Sequence, residues 1–222
     1  MKRPALAAVA AVLLAAAPLA VPALTPTEIT FEPGLLVLGN TGEADSTGPT
    51  PVVLVQSLGA SLPMALGGPF FFEPGVILLG TWYEYSAAGD RVVPGAAEAD
   101  TFFVLGAALA ARAGAAFPVS KSVTLGASVG LDLLVRIPAD LESGSAGRAD
   151  DRRAGWAYFY GMARFLYPET SIFCRWMLSE TFGLAFTARA LHPVFHLWDG
   201  EGLSYLDQLL IAGQLGFTWR FR

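Results

Sequence analysis

From Leu209 to the C-terminus, every second residue belongs to one apolar set: Leu209, Ile211, Gly213, Leu215, Phe217, Trp219 and Phe221. The interleaved set is small or polar: Gln208, Leu210, Ala212, Gln214, Gly216, Thr218, Arg220 and Arg222. A period of two marks a strand with two unlike faces. The same alternation runs through 123–137, where Val123, Leu125, Ala127, Val129, Leu131, Leu133, Val135 and Ile137 share one face. Globular strands average about 5–6 residues. Crossing lipid at a tilt takes about 9–11, so a run of this length suits a membrane better than a soluble sandwich. In 102–117, Phe103, Leu105, Ala107, Leu109, Ala111, Ala113, Ala115 and Phe117 form the apolar face, and Arg112 lies opposite with Gly106 and Gly114. Phe182, Leu184, Phe186 and Ala188 likewise leave Arg189 on the other side. Arginine recurs on the small-residue face.

Reading the alternation along the chain predicts eight strands, near 28–39, 52–63, 70–85, 101–117, 122–137, 155–177, 182–197 and 207–221. The connections at 40–51, 86–100, 138–154 and 198–206 are long, and those at 64–69, 118–121 and 178–181 are short. An even strand count with long loops on one side and short turns on the other predicts an all-β fold. It is an antiparallel up-and-down transmembrane β-barrel with both termini on the short-turn side. Pro168-Glu169-Thr170 interrupts the sixth strand; a turn there gives ten strands. Phe31-Glu32-Pro33-Gly34 and the residues to Gly39 are echoed by Phe72-Glu73-Pro74-Gly75 and the residues to Gly80. Proline supplies no ladder donor, which places both copies near a rim or bulge.

Composition narrows the picture. The 222 residues are 54% hydrophobic and 15% charged, below the quarter usual in soluble domains. No apolar run reaches the roughly 18–20 residues of a membrane helix without interruption. Met1-Lys2-Arg3, the alanine-rich stretch to Ala20 and Val21-Pro22-Ala23 read as a cleavable signal peptide over residues 1–23, leaving a barrel domain over 24–222. Its removal takes two positive charges and lowers the net charge from −5 to −7. With lysine only at positions 2 and 121, nucleic acid has no basic surface to bind. The single cysteine, Cys174, sits among apolar residues and reads as a small hydrophobe. No cofactor is expected.

The signal peptide, the alternating strands and the ending Leu215-Gly216-Phe217-Thr218-Trp219-Arg220-Phe221-Arg222 together resemble the small bacterial outer-membrane β-barrel proteins. The resemblance implies residence in the outer membrane, contact with its lipids and lipopolysaccharide, and recognition of the last strand by the barrel-assembly machinery. The aromatic that ends the strand in that group is penultimate here.

An eight-stranded barrel has an interior just wide enough to be filled by side chains. Glu32, Glu73, Arg112, Asp132, Arg136, Arg164, Arg175, Arg189 and Arg220 are the candidates for an ion network there, joined by Glu84 and Gln214. Unpaired charges in a confined space are costly, so they should pair. Trp82, Tyr83, Tyr85, Trp156, Tyr158, Tyr160 and Trp198 are expected in an aromatic girdle by the long loops. Phe70, Phe71, Phe117, Trp176, Trp219 and Phe221 are expected in one by the short turns. The primary expectation is a packed lumen with acidic outer loops and a structural or surface-interaction role, without catalysis. Two alternatives stay open. Apolar lumen residues such as Ile77, Leu79, Leu134 and Leu210 would suit a narrow channel for small hydrophobic molecules. His192 and His196, the only histidines, lie near Asp199, Glu201, Ser204 and Asp207, as in a lipid-modifying rim enzyme.

Overall fold

The computed structural model describes residues 24–41, 52–87, 89–95, 101–139 and 148–221. The expected signal peptide and most of the acidic loop residues lie outside them. Among the described residues ten strands form: β1 (Glu28–Gly39), β2 (Val52–Ser61), β3 (Met64–Gly67), β4 (Phe70–Ser86), β5 (Arg91–Gly95), β6 (Thr101–Pro118), β7 (Val123–Ala139), β8 (Leu166–Met177), β9 (Phe182–Leu191) and β10 (Leu210–Arg220). Eight of them make the wall, in the order β2-β1-β10-β9-β8-β7-β6-β4. Pairing of β2 with β4, for example Gly59 with Ile77, closes the ring. All the neighbours are antiparallel, and β1 and β10 bring the two ends of the barrel sequence together. The two extra strands are short additions to β4: β3 folds back on its start and β5 on its end.

The closed eight-stranded barrel is the expected fold, with two local departures. The stretch 155–177 is not one strand, because α1 (Arg148–Tyr160) and a single 3-10 turn occupy its first part. Pro168, Glu169 and Thr170 are not a turn but lie within β8, opposite Leu131, Gly130 and Val129 of β7. Likewise 182–197 ends as a strand at Leu191 and finishes in a 3-10 turn over Val194–Leu197. The helix was disguised by Trp156, Tyr158 and Tyr160, whose spacing of two imitates a strand. Phe159 breaks that imitation. Gly155 and Phe159, four apart, share one helix face: Gly155 lies against the Phe102 ring, and the Phe159 ring meets Tyr83 edge-on at 5.2 Å. Trp156 and Tyr160, also four apart, stack on the other side at 5.0 Å. Asp150 and Asp151 in the first turn favour the helix N-terminus electrostatically. The chain leaves α1 through Met162 and Ala163, both at positive φ, and turns sharply into β8.

The radial distribution of residues inverts that of a soluble protein. Leu35, Leu54, Leu58, Leu105, Leu109, Val129, Leu131, Ile172, Phe186, Ile211 and Leu215 are exposed on the outside of the wall. Glu32, Glu73, Arg112, Asp132, Glu169, Arg189 and Gln214 are buried inside it. No described helix is long and apolar enough to cross a membrane; the strands provide the apolar belt. Phe31, Phe70, Phe117, Trp176, Phe217, Trp219 and Phe221 are exposed toward the short-turn end. Phe71 departs from its expected place there: it is buried inside, edge-on to Phe173 at 5.7 Å.

The wall is also uneven in height. β4, β6 and β7 have 17, 18 and 17 residues, whereas β2 and β9 have 10. Above the short strands, the tall side would present its inner face to solvent. That face is covered by α1, which packs against β4, β5, β6 and β7. The Tyr160 hydroxyl caps the edge of β7 where β8 has ended, accepting from the Arg136 backbone N–H and donating to its carbonyl, both at 3.1 Å.

Candidate functional site

The barrel interior has two tiers. The lower one, toward the short turns, is a chain of alternating charge. Arg220 stands 3.7 Å from Glu28, and Glu28 pairs with Arg175 at 2.5 Å. Arg175 reaches on to Glu73 at 3.1 Å. Glu73 accepts from Nη1 of Arg112 at 3.3 Å, and Arg112 Nε donates to Glu169 at 2.7 Å. Glu169 accepts from Arg189 at 3.1 Å, and Arg189 ends the chain on Glu32. Six strands contribute: β1, β4, β6, β8, β9 and β10. Neutral groups complete it. Gln214 accepts from Arg189 Nε at 2.8 Å and donates to the Glu32 carbonyl at 3.1 Å. Thr187 also donates to Glu32. Below these, Ser128 pairs with Ser171 at 2.6 Å and Thr30 with Thr218 at 3.1 Å.

Burying such charges is expensive, and the expense is offset only when each is matched closely and its remaining hydrogen-bonding positions are filled. Strand geometry supplies the match, because inward residues recur every second position and long arginines can reach across a narrow bore. Glycines provide the room. A side chain on Gly75 would meet Arg112 Nη1 at 2.6 Å, and one on Gly130 would meet Arg112 Cγ at 2.8 Å. This is why arginine and glycine share the small-residue face.

The upper tier is apolar. Leu36, Leu38, Val55, Ile77, Leu79, Tyr83, Phe102, Val104, Leu134, Leu191 and Leu210 point inward from the wall, and Tyr158, Phe159 and Phe195 fill the centre. Arg136 belongs to this tier rather than to the charge chain. Its Nη2 donates to the Tyr167 hydroxyl at 2.5 Å, and its guanidinium lies over the Phe159 ring at 4.8 Å. Arg164 is not on a strand at all. It follows the 3-10 turn, lies over the Tyr158 ring at 4.1 Å, donates to the Tyr158 carbonyl at 3.3 Å and pairs with Glu201. Gln208 donates to the Tyr158 hydroxyl at 2.7 Å. Burial, and then the Glu201 carboxylate, push that hydroxyl above the usual phenol range. Trp156, Tyr158 and Tyr160 therefore serve the helix cap rather than a strand-borne girdle.

Above both tiers, Asp207 ties the connecting segments together. Its carboxylate accepts from Arg91 at 3.1 Å and from the Thr41 N–H at 2.8 Å. Its backbone carbonyl faces His196 Nε2 at 2.9 Å, while His196 Nδ1 faces Asp199 at 2.9 Å. The two histidines are thus kept apart. His192 lies on the outer wall between Thr170 at 2.9 Å and Tyr205 at 2.5 Å. Ser204 accepts from the Leu206 N–H and meets neither ring. Among the described residues, no Ser-His-Asp arrangement forms and no group of three or more His, Cys, Asp or Glu side chains could hold a metal ion.

Of the residues singled out in the sequence, Glu32, Glu73, Arg112, Arg175 and Arg189 lie in the charge chain. Arg220 stands at its open end, with 46% of its side chain exposed. Asp132 is fully buried beside the chain, 3.9 Å from Arg112 Nη2. Glu84 shares the face of Trp82 rather than that of Glu73, and is buried above the barrel. Glu169, which joins Arg112 to Arg189, was missed because Pro168 suggested a turn. Its parity with Ser171, Phe173 and Arg175 was the available signal. Glu28 was missed as the first residue of its strand, although it has the parity of Glu32.

A closed ring of eight antiparallel strands, an apolar outer belt and a charged interior define a small outer-membrane β-barrel of the bacterial type. No family model matches the chain, and no curated protein matches it in sequence. Solved structures do resemble it. Neisserial surface protein A is 8% identical, with a TM-score of 0.53 over 90% of this chain and 100% of that one. The attachment invasion locus protein Ail of Yersinia pestis, in complex with the heparin analogue sucrose octasulfate, is 11% identical, with a TM-score of 0.43 over 89% and 100%. At such identities, the likeness to Neisserial surface protein A is one of fold.

Proposed function

We propose that this chain is a non-conducting barrel of the bacterial outer membrane, with a structural or surface-interaction role and no catalytic one. The observation that carries this reading is the doubly filled lumen. A water path from the short-turn side would meet the charge chain from Glu28 to Glu32, then the plug of Tyr158, Phe159 and Phe195. The same plug counts against a passage for small apolar molecules, since its aromatic rings occupy the space those molecules would need. Against catalysis at the rim, Ser204 makes no hydrogen bond to a histidine, and Asp207 is engaged by Arg91 and Thr41.

On this reading, lipids and lipopolysaccharide surround the belt, and the outer loops carry whatever is recognised. The last strand, with Leu215, Phe217 and Trp219 turned outward, is the segment the barrel-assembly machinery would read. The test is conductance in planar bilayers together with uptake of a small apolar dye by cells with and without the protein. No unitary currents and equal uptake are expected. Stable single-channel steps, or uptake that depends on the protein, would overturn the reading.

A further inference from the structure

The outer belt contains one polar side chain that has no partner among the described residues. Gln56 sits in the middle of β2, exposed on the outside, paired through its backbone with Leu35 of β1. Leu54 and Leu58 flank it on its own strand, and Leu78 lies on β4 beyond. Thr170, the other polar residue exposed on the belt, is satisfied by His192. Among the described residues the Gln56 amide has no hydrogen-bond partner, and a belt facing lipid offers it no water. An amide left so in hydrocarbon is unfavourable.

We propose that the β10–β1–β2 face is a docking surface for a second copy of this chain, with Gln56 of each copy hydrogen-bonded to the other's. A primary amide suits this pairing. It carries a donor and an acceptor side by side, so two related by a two-fold axis along the membrane normal satisfy each other. Acyl chains offer neither donor nor acceptor. Beside the amide lies a groove of about 470 Å³, lined by Pro33, Gly34, Leu35, Leu215 and Phe217. It gives the leucines of the facing copy somewhere to seat, bringing the walls within reach of the amides. The proposal rests on the belt facing lipid.

The test uses full-length protein with Cys174→Ser, refolded into phosphatidylcholine vesicles, with folding verified by heat-modifiable gel mobility. Lys121→Cys, on a short turn, carries donor or acceptor fluorophores. Energy transfer above random proximity, lost on lipid dilution, is expected. Gln56→Leu and Gln56→Met should weaken the association by on the order of tenfold, the scale of one to two interhelical-type hydrogen bonds in lipid. Independently, in the Cys174→Ser background without Lys121→Cys, Gln56→Cys should oxidise to a disulfide-linked dimer, because the groove contacts that remain still bring the two positions together and oxidation traps the weakened pair. Ile172→Cys, on β8 across the ring, should not. Random-level transfer in folded protein, association unchanged by both substitutions, or equal crosslinking at the two positions would each overturn the proposal while leaving the barrel reading intact. Failure of the heat-modifiable mobility in the parent would instead overturn the barrel on which it rests.

Discussion

Arg112 lies within ion-pair distance of three buried carboxylates, and replacing it with leucine tests the account of the lumen directly. The lower tier and its neighbour contain five carboxylates, Glu28, Glu32, Glu73, Asp132 and Glu169, against four guanidinium groups, Arg112, Arg175, Arg189 and Arg220. Arg112 faces three of the five, at 3.3, 3.9 and 2.7 Å. Arg112→Leu leaves five against three. Glu73 retains Arg175, and Glu169 retains Arg189 at 3.1 Å, but Asp132 loses its nearest cation. Removing one partner of a buried pair costs about 3–5 kcal/mol, chiefly because the charge left behind is no longer compensated. The assay is reversible urea unfolding of the barrel in lipid vesicles, followed by tryptophan fluorescence. A loss of about 3–5 kcal/mol is expected. Adding Asp132→Asn to Arg112→Leu should return part of it, because the uncompensated carboxylate is gone. A loss under about 1 kcal/mol, or a double variant no more stable than the single, would refute the reasoning that the chain is bound by mutual compensation.

Other substitutions probe the remaining layers. Leu109→Arg, on the outer belt, should cost about 2–4 kcal/mol in the same unfolding assay if it lies near the bilayer midplane. Phe159→Ala removes the ring between Tyr83 and Arg136; a cost of about 3–5 kcal/mol is expected to fall on helix docking. Limited proteolysis should then cut within 148–165 while heat-modifiable mobility persists. Gly130→Leu should push Arg112 from its place and lower stability by about 1–3 kcal/mol, since the added side chain starts 2.8 Å from Arg112 Cγ.

Much of this molecule was legible because a strand in a barrel wall repeats its environment every two residues. Phe103 to Phe117 and Leu209 to Phe221 declared which side meets lipid, and that parity sent Arg112, Arg189 and Gln214 inward. Parity could not say which carboxylate meets which guanidinium. Arg112 and Glu169 are 57 positions apart and on strands separated by β7, so their 2.7 Å contact depends on closure and stagger. Parity also failed where the chain left the wall. Trp156, Tyr158 and Tyr160 read equally as strand or helix over so few residues, and only the uncovered inner face of the tall β4–β6–β7 wall decides for a helix.

The sequence by itself thus determined most of the wall strands and their two faces, and favoured a ring of eight over one of ten, because these follow from short-range alternation and loop length. The tertiary structure decided the division of the lumen into a charged lower tier and an aromatic upper tier. It also separated Arg136 and Arg164 from the charge chain, and His192 from His196. These depend on the height each strand reaches in the closed wall, which local alternation does not encode.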